Sequence, residues 1–258
     1  MNFVVEGEAA FAYTAAHAFD PKKPTMVFIH GAGLDHSFFG LQSRYFGYHG
    51  WNVLALDLPG HGRSAGPPVA SISGMADWAS AVLKNLKVEK ASLVGHSMGA
   101  LVAVECASRL PWVERIALVG VAYPMKVAEP FMDAARRNDH AAYDMETIWG
   151  HAAQVPLGGN PNPGMWMYGD SLARLRRLAP GVLYSDLKAC NEYRLEGNVS
   201  CPALFILGKR DVMTPPKAAM ELQKKIPQSK TVMIAPSGHT LMAEAPDATL
   251  DALIAFFS

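Results

Sequence analysis

The stretch Ala91-Ser-Leu-Val-Gly-His-Ser-Met-Gly-Ala-Leu-Val-Ala-Val-Glu-Cys-Ala-Ser108 decides how the rest of the chain is read. Ala91 to Val94 is a short, mostly apolar run, the pattern of a buried strand. Leu101 to Ser108 is rich in Ala and Val and free of Gly and Pro, the pattern of a helix. Between them stands Gly95-His96-Ser97-Met98-Gly99. A strand that runs straight into a helix needs a tight turn with its middle residue strained. Flanking glycines remove the side chains that would collide there. Such a turn holds the Ser97 hydroxyl at its tip, beside N–H groups of a helix N-terminus that favour negative charge. The pentapeptide by itself is a weak signal. A base, an acid and a second oxyanion donor must stand where this architecture needs them.

Working outward, Phe3 to Val5 and Ala10 to Thr14 read as short strands at a sheet edge. Thr25 to Ile29 is a continuous apolar strand of the kind buried on both faces of a parallel sheet, and it runs into His30-Gly31-Ala32-Gly33. A helix is predicted around Phe38 to Tyr48. Asn52 to Leu56 is another buried strand, ending at Asp57-Leu-Pro-Gly-His-Gly-Arg-Ser64. A helix near Ile72 to Leu86 precedes the Ser97 strand, and Arg115 to Val119 is the next strand. After the break described below, the rhythm resumes with a strand at Ala203 to Leu207 and a helix near Lys217 to Ile226. A strand at Thr231 to Ile234 and a helix from Ala248 to Phe257 close the chain. Alternation of this kind predicts an α/β fold with a mostly parallel, doubly wound sheet. Ligands of such sheets gather at the carboxyl ends of the strands, where His30, Asp57 and Ser97 all fall.

From Ala122 to Val199 no strand is apparent. Helical segments (Glu129 to Asn138, Ala141 to Trp149, Ser171 to Leu178) are broken by Pro156-Leu-Gly-Gly-Asn-Pro-Asn-Pro-Gly164, a linker or a lid. The organisation expected is an α/β core over 1–121 and 200–258, interrupted by a helical cap over 122–199. Five of the 13 methionines and two of the five tryptophans lie in that insertion. Met125, Met132, Met145, Trp149, Met165, Trp166, Met167 and Tyr168 could form an adaptable apolar wall, although for any one of them packing the cap onto the core is the commoner role. Trp149 and Trp166, with Val212 of the core, are the residues expected in a substrate pocket. Arg174, Arg176 and Arg177 read as the solvated face of a helix whose Leu172, Leu175 and Leu178 point inward.

Composition narrows the classes. Half of the 258 residues are hydrophobic, 18% are charged and the net charge is zero, so nothing draws the chain to nucleic acid or an anionic membrane. Cys106, Cys190 and Cys201 are odd in number and lack ligand or redox spacing, as expected of reduced thiols in an intracellular protein. The first residues have no basic segment followed by an apolar one, so no signal peptide is read, and no apolar run is long enough to span a bilayer. A cytoplasmic protein, monomeric or homodimeric, is expected. The nine histidines lack metal-ligand spacing, and neither a metal nor another cofactor is implied.

A serine nucleophile needs a base within hydrogen-bond reach and an acid to orient that base. The strand ending at Leu207 leads into Gly208-Lys-Arg-Asp211, and the one ending at Ile234 leads into Ala235-Pro-Ser-Gly-His239. Each places one candidate past the carboxyl end of a late strand, in the chain order Ser, Asp, His. With these blocks in hand, the sequence resembles the α/β-hydrolase superfamily, particularly its small esterase-like members with a helical cap. The resemblance rests on His30-Gly-Ala-Gly33, Asp57 to Ser64, Gly95 to Gly99, Asp211 and His239, and it covers the core on both sides of the insertion.

The resemblance implies that Ser97 attacks a carbonyl, that His239 carries its proton and that Asp211 orients His239. It also implies an oxyanion hole from the N–H groups of Met98 and Ala32. His30, His61 and His96 match positions that shape turns, and Asp57 reads as a loop organiser accepting backbone N–H groups. Relatives that displace halide or open epoxides carry Asp at the Ser97 position, which disfavours those reactions. The expected activity is that of a carboxylesterase acting on small or medium apolar esters. Hydrolysis of a C–C bond beside a ketone, and ligand reception on a hydrolase scaffold, remain open alternatives.

Overall fold

The computed structural model describes residues 1–20, 22–157 and 166–258. Eight strands form one sheet: β1 (Asn2–Val5), β2 (Glu8–Tyr13), β3 (Thr25–Ile29), β4 (Asn52–Asp57), β5 (Ala91–His96), β6 (Val113–Val119), β7 (Ala203–Gly208) and β8 (Ser229–Ile234). Their order is β1-β2-β4-β3-β5-β6-β7-β8. Pairs β1–β2 and β2–β4 are antiparallel, and every later pair is parallel. Strands β3, β4, β5 and β7 are buried along their whole length. That is why they read as continuous apolar runs instead of alternating ones.

Helices cover both faces. On one side α2 (Ile72–Asn85) and α3 (Met98–Arg109) pack with Val27, Ile29, Leu54 and Leu93; on the other, α1 (Gly40–Tyr48) and α10 (Pro246–Phe257) cover Met26, Phe28 and Ala55. Successive residues of β3 thus serve opposite faces, as the pleat requires. Between β6 and β7 the chain inserts α4 (Glu129–Arg136), α5 (His140–Trp149), α6 (Met167–Leu175) and α7 (Val182–Glu192). Two short helices complete the core, α8 (Met220–Lys224) and α9 (Leu241–Glu244). Met165 and most of the Pro156 to Gly164 segment lie outside the described residues.

The chain leaves β3 for β4 on one side, then returns to β5 on the other side of β3. That reversal opens a crevice at the carboxyl ends of β3 and β5. The His30 loop and Ser97 both emerge there.

Candidate active site

Ser97 is the hinge between β5 and α3. Its backbone sits at φ +52°, ψ −114°, a region that costs a non-glycine residue about 1–3 kcal/mol and persists only where its surroundings enforce it. Here the enforcement is close packing. A Cβ on Gly95 would lie 2.2 Å from the Gly99 carbonyl oxygen, and one on Gly99 would lie 2.1 Å from that of Ile29. Both glycines are required by contact distance. The Ser97 N–H donates to the Val119 carbonyl at 2.9 Å, tying the turn to the end of β6. Among the described residues neither the Ala32 nor the Met98 N–H donates a hydrogen bond, and Ala32 lines the same cavity as Ser97.

His239 follows β8 and is 1% exposed. Its ring packs on that of His96, with centroids 4.6 Å apart, and lies over Gly120 at the end of β6. His96 Nε2 donates to the His239 carbonyl at 3.0 Å. His239 Nδ1 donates to Asp211 Oδ2 at 2.8 Å, while Nε2 is buried without a partner among the described residues. Burial alone would push the imidazole pKa down, but the Asp211 charge and hydrogen bond carry it above its usual value. Burial would likewise raise the Asp211 pKa. The His239 charge and the bonds from His239 and Thr214 reverse that and hold the carboxyl at about 2. Asp211 is therefore ionised, and its partner is a strengthened base.

Thr214 was not anticipated. Its N–H donates to Asp211 Oδ1 at 2.8 Å and its hydroxyl to Oδ2 at 2.7 Å, while Oγ1 stands 3.0 Å from His239 Nδ1. Only the sequence Asp211-Val-Met-Thr214, with the acid three residues before the N–H it accepts as at a helix cap, hints at it.

The insertion grips this site at several points. The Gly150 carbonyl accepts the N–H groups of His239 and Thr240, at 3.1 and 2.9 Å. Glu244 of α9 accepts from Ala152, Gly238 and Thr240, joining the insertion to the His239 loop. Asp186 of α7 is wholly buried and accepts the Gly33 N–H at 2.9 Å and His61 Nε2 at 2.8 Å. Burial disfavours the charged form of His61, but Asp186 outweighs it and raises the pKa. His30, next to His61, is pushed down to about 4 by burial. Its Nε2 accepts the Leu58 N–H at 3.1 Å.

Asp57 accepts N–H groups from His36 at 2.7 Å and Arg63 at 2.8 Å. Asp35, His36 and Asp57 bring ligand-type atoms within 4.8 Å of one another, yet both Asp57 oxygens are already engaged in holding this turn.

Two cavities flank the centre. One of about 210 Å³ is lined by Ala32, Ser97, Phe131, Trp149, Val212 and Met213, among others. The other, of about 190 Å³, meets His239 and His96 and carries Ser37, His151, Asp170 and Arg174. Trp149 and Val212 thus border the Ser97 side, Val212 while 63% exposed. Trp166 is 76% exposed, covers Gly169 and borders neither cavity. Met125 lines the Ser97 side and Met167 the other. Met132 and Met145 pack on the core, and Tyr168 packs on His151. Arg174 departs from the solvated face expected of it: it pairs with Asp170 at 2.8 Å and Asp35 at 3.6 Å, while Arg176 and Arg177 are exposed.

A strained serine, a buried imidazole and an ionised acid at one sheet edge form an arrangement suited to acyl transfer. The alpha/beta hydrolase family model matches residues 26–252, nearly the whole chain. The chain belongs to the alpha/beta hydrolase family. This hydrolase is 24% identical over 249 residues to an (E)-2-((N-methylformamido)methylene)succinate hydrolase of Acinetobacter baylyi, covering 93% of each chain. It is 28% identical over 228 residues to a pimeloyl-(acyl-carrier protein) methyl ester esterase of Neisseria meningitidis serogroup A, covering 82% of this chain and 69% of that one. The crystal structure of an enol-lactonase from Burkholderia xenovorans superposes with a TM-score of 0.85 at 22% identity, over 99% of each chain, a likeness of fold. Among the described residues no helix is long and apolar enough to cross a membrane.

Proposed function

We propose that this alpha/beta hydrolase is a serine carboxylesterase for small or medium esters with an apolar acyl group. The supporting observation is a strained Ser97 at the same sheet edge as a buried His239 that donates through Nδ1 to Asp211 and whose Nε2 has no partner among the described residues. In this reading Ser97 Oγ attacks the ester carbonyl and passes its proton to His239 Nε2. The oxyanion forms beside the Ala32 and Met98 N–H groups, each worth about 3 kcal/mol in such sites. On collapse the C–O bond breaks, and the departing alkoxide takes the proton from Nε2. Water then repeats the sequence on the acyl-enzyme, releasing the acid and restoring Ser97. Asp211 stays ionised throughout and holds the imidazole in its productive tautomer.

Helices α4 to α7 act in this reading as the cap, and Trp149 and Val212 as part of the acyl wall. The named ester hydrolase among the relatives supports the substrate class. The test is steady-state hydrolysis of p-nitrophenyl esters from acetate to dodecanoate, beside Ser97→Ala. Multiple turnovers peaking at one chain length, reduced on the order of 10⁴-fold or more in the variant, are expected. A folded wild type that turns over none of them would refute the reading.

A further inference from the structure

Glu146, on the inner side of α5, belongs to the walls of both cavities. Among the described residues its carboxyl makes no hydrogen bond or ion pair, and its Oε2 is sealed from solvent. Glu146 is half-buried as a residue, but a solvent-sealed carboxylate oxygen without a partner is costly to keep, and one held in the wall of these cavities leaves room for an incoming donor. The charges around Glu146 agree. Burial pushes its pKa up to about 7, the neighbouring Asp186 adds to the rise, and His239 opposes it. The cation sharing the His239-side wall, Arg174, is already paired with Asp170 and Asp35. Lys126, at the other cavity, is exposed.

The chemistry of ester cleavage orients the two cavities. The imidazole must hand its proton to the leaving oxygen, so the alcohol portion lies on the His239 side and the acyl portion on the Ser97 side. The acyl side is walled by Phe131, Trp149, Leu187 and Met213. The alcohol side is also largely apolar, with Leu34, Phe38, Met167 and Leu175, and carries Ser37, His151, Asp170 and Arg174 besides.

We propose that Glu146 is a specificity-determining residue that accepts a hydrogen bond from a hydroxyl group on the alcohol portion of the substrate, selecting apolar acyl esters of hydroxylated alcohols. The proposal rests on the esterase reading, and it names the half of the ester that reading leaves open.

The test uses a matched pair of esters, 2-hydroxyethyl butyrate and propyl butyrate, which differ by a hydroxyl in place of a methyl. Wild type should favour the hydroxyethyl ester in kcat/KM by about tenfold or more, the usual effect of one hydrogen bond to a charged or buried acceptor. Glu146→Leu should bring the ratio close to one. Glu146→Gln, which keeps an acceptor of the same shape, should retain a preference within about threefold of wild type. Methyl 3-hydroxybutyrate against methyl butyrate moves the hydroxyl to the acyl side, where wild type should gain nothing.

Calorimetric Kd values for the same esters on Ser97→Ala give a readout independent of turnover. A protein that binds the hydroxyethyl ester more tightly but cleaves neither would sink the esterase reading and leave the role of Glu146 standing. Equal affinity for the pair in Ser97→Ala, an unchanged ratio in Glu146→Leu and Glu146→Gln alike, or a preference for the acyl-side hydroxyl would overturn the proposal. Should Glu146→Leu fail to fold, a Glu146→Gln ratio more than tenfold from that of wild type would also overturn it.

Discussion

Of the carboxylates that bear on His239, Asp211 and Glu146 could hardly be more different. Asp211 comes from the core, in the loop that ends β7, and its oxygens accept from the His239 ring and from both the N–H and hydroxyl of Thr214. Glu146 comes from the helical insertion and accepts from nothing described. One acid is held at about 2 by its partners; the other is pushed up to about 7 by burial. The contrast teaches a division of labour. Loops built on a rigid parallel sheet can satisfy a buried charge completely and so pre-organise it. The insertion carries a polar group whose partner has to arrive from outside.

The insertion is not merely a loose cover, because Asp186 meets two donors in the core: the Gly33 N–H and His61. It is one of the points at which the two regions share a network, with Gly150 and Ala152 at others.

The comparison can be broken from the core side first. Asp211→Asn should lower kcat on the order of 10⁴-fold while leaving the far-UV spectrum unchanged, measured by steady-state kinetics and circular dichroism. A loss of less than tenfold would mean that the pre-organised acid is ornamental. Wild-type activity should also fall as pH drops through the raised pKa of His239, since in the proposed mechanism only the neutral ring can take the serine proton; a rate that is flat between pH 5 and 9 would contradict this.

The shared network comes next. Asp186→Leu removes one partner of a buried pair and should cost about 3 kcal/mol of stability, read from urea melts. His61 has a raised pKa in the folded state, so its contribution is complete below its ordinary 6.5 and fades as pH rises through the raised value. The deficit should accordingly be largest near pH 6 and shrink on going alkaline. If kcat/KM also falls, the insertion positions the His30–Gly33 loop through Gly33; an unchanged kcat/KM in the destabilised variant would show that the loop holds itself.

The smallest effect concerns Glu146. Its pKa of about 7 in the folded protein, against an ordinary 4.5, means the native state binds the extra proton between those values. Stability should therefore decline as pH rises from 4.5 to 7. Glu146→Gln removes that decline, so the variant should match wild type near pH 4 and exceed it by about 1–2 kcal/mol at pH 8. Thermal melts at the two pH values measure it, and a constant offset would place Glu146 in solvent.

Much of this molecule was legible in local pattern. The fully buried strands betray themselves as apolar runs, and Thr25–Ile29 begins and ends where it was expected. The turns that follow β3, β5, β7 and β8 carry their chemistry in short motifs, because a Gly-flanked serine or a post-strand Asp and His are constrained by contacts within a few residues. Helix α7 is not legible in the sequence pattern. Its buried positions are Val182, Leu183, Asp186, Leu187, Ala189 and Cys190, a proper helical stripe with an aspartate in the middle. A charged residue on an inward face breaks the apolar pattern unless its partners are known, and those partners lie 125 and 153 residues away in sequence. Arg174 was misread for the same reason, since Asp35 belongs to a loop of the core.

What the sequence determined by itself was therefore the alternating α/β order, the strained mount of Ser97 and the identity of the residues at the strand ends. Each is set by sterics and hydrophobic period over a handful of neighbouring residues. Tertiary structure alone decided that Thr214 saturates Asp211, that Gly150 and Glu244 grip the His239 loop, that Asp186 reaches the loop after β3, and that Glu146 has no partner among the described residues while bordering two cavities. Those are facts about polar atoms meeting, or failing to meet, across long stretches of chain. A buried charge takes its meaning from what surrounds it, and only folding supplies the surroundings.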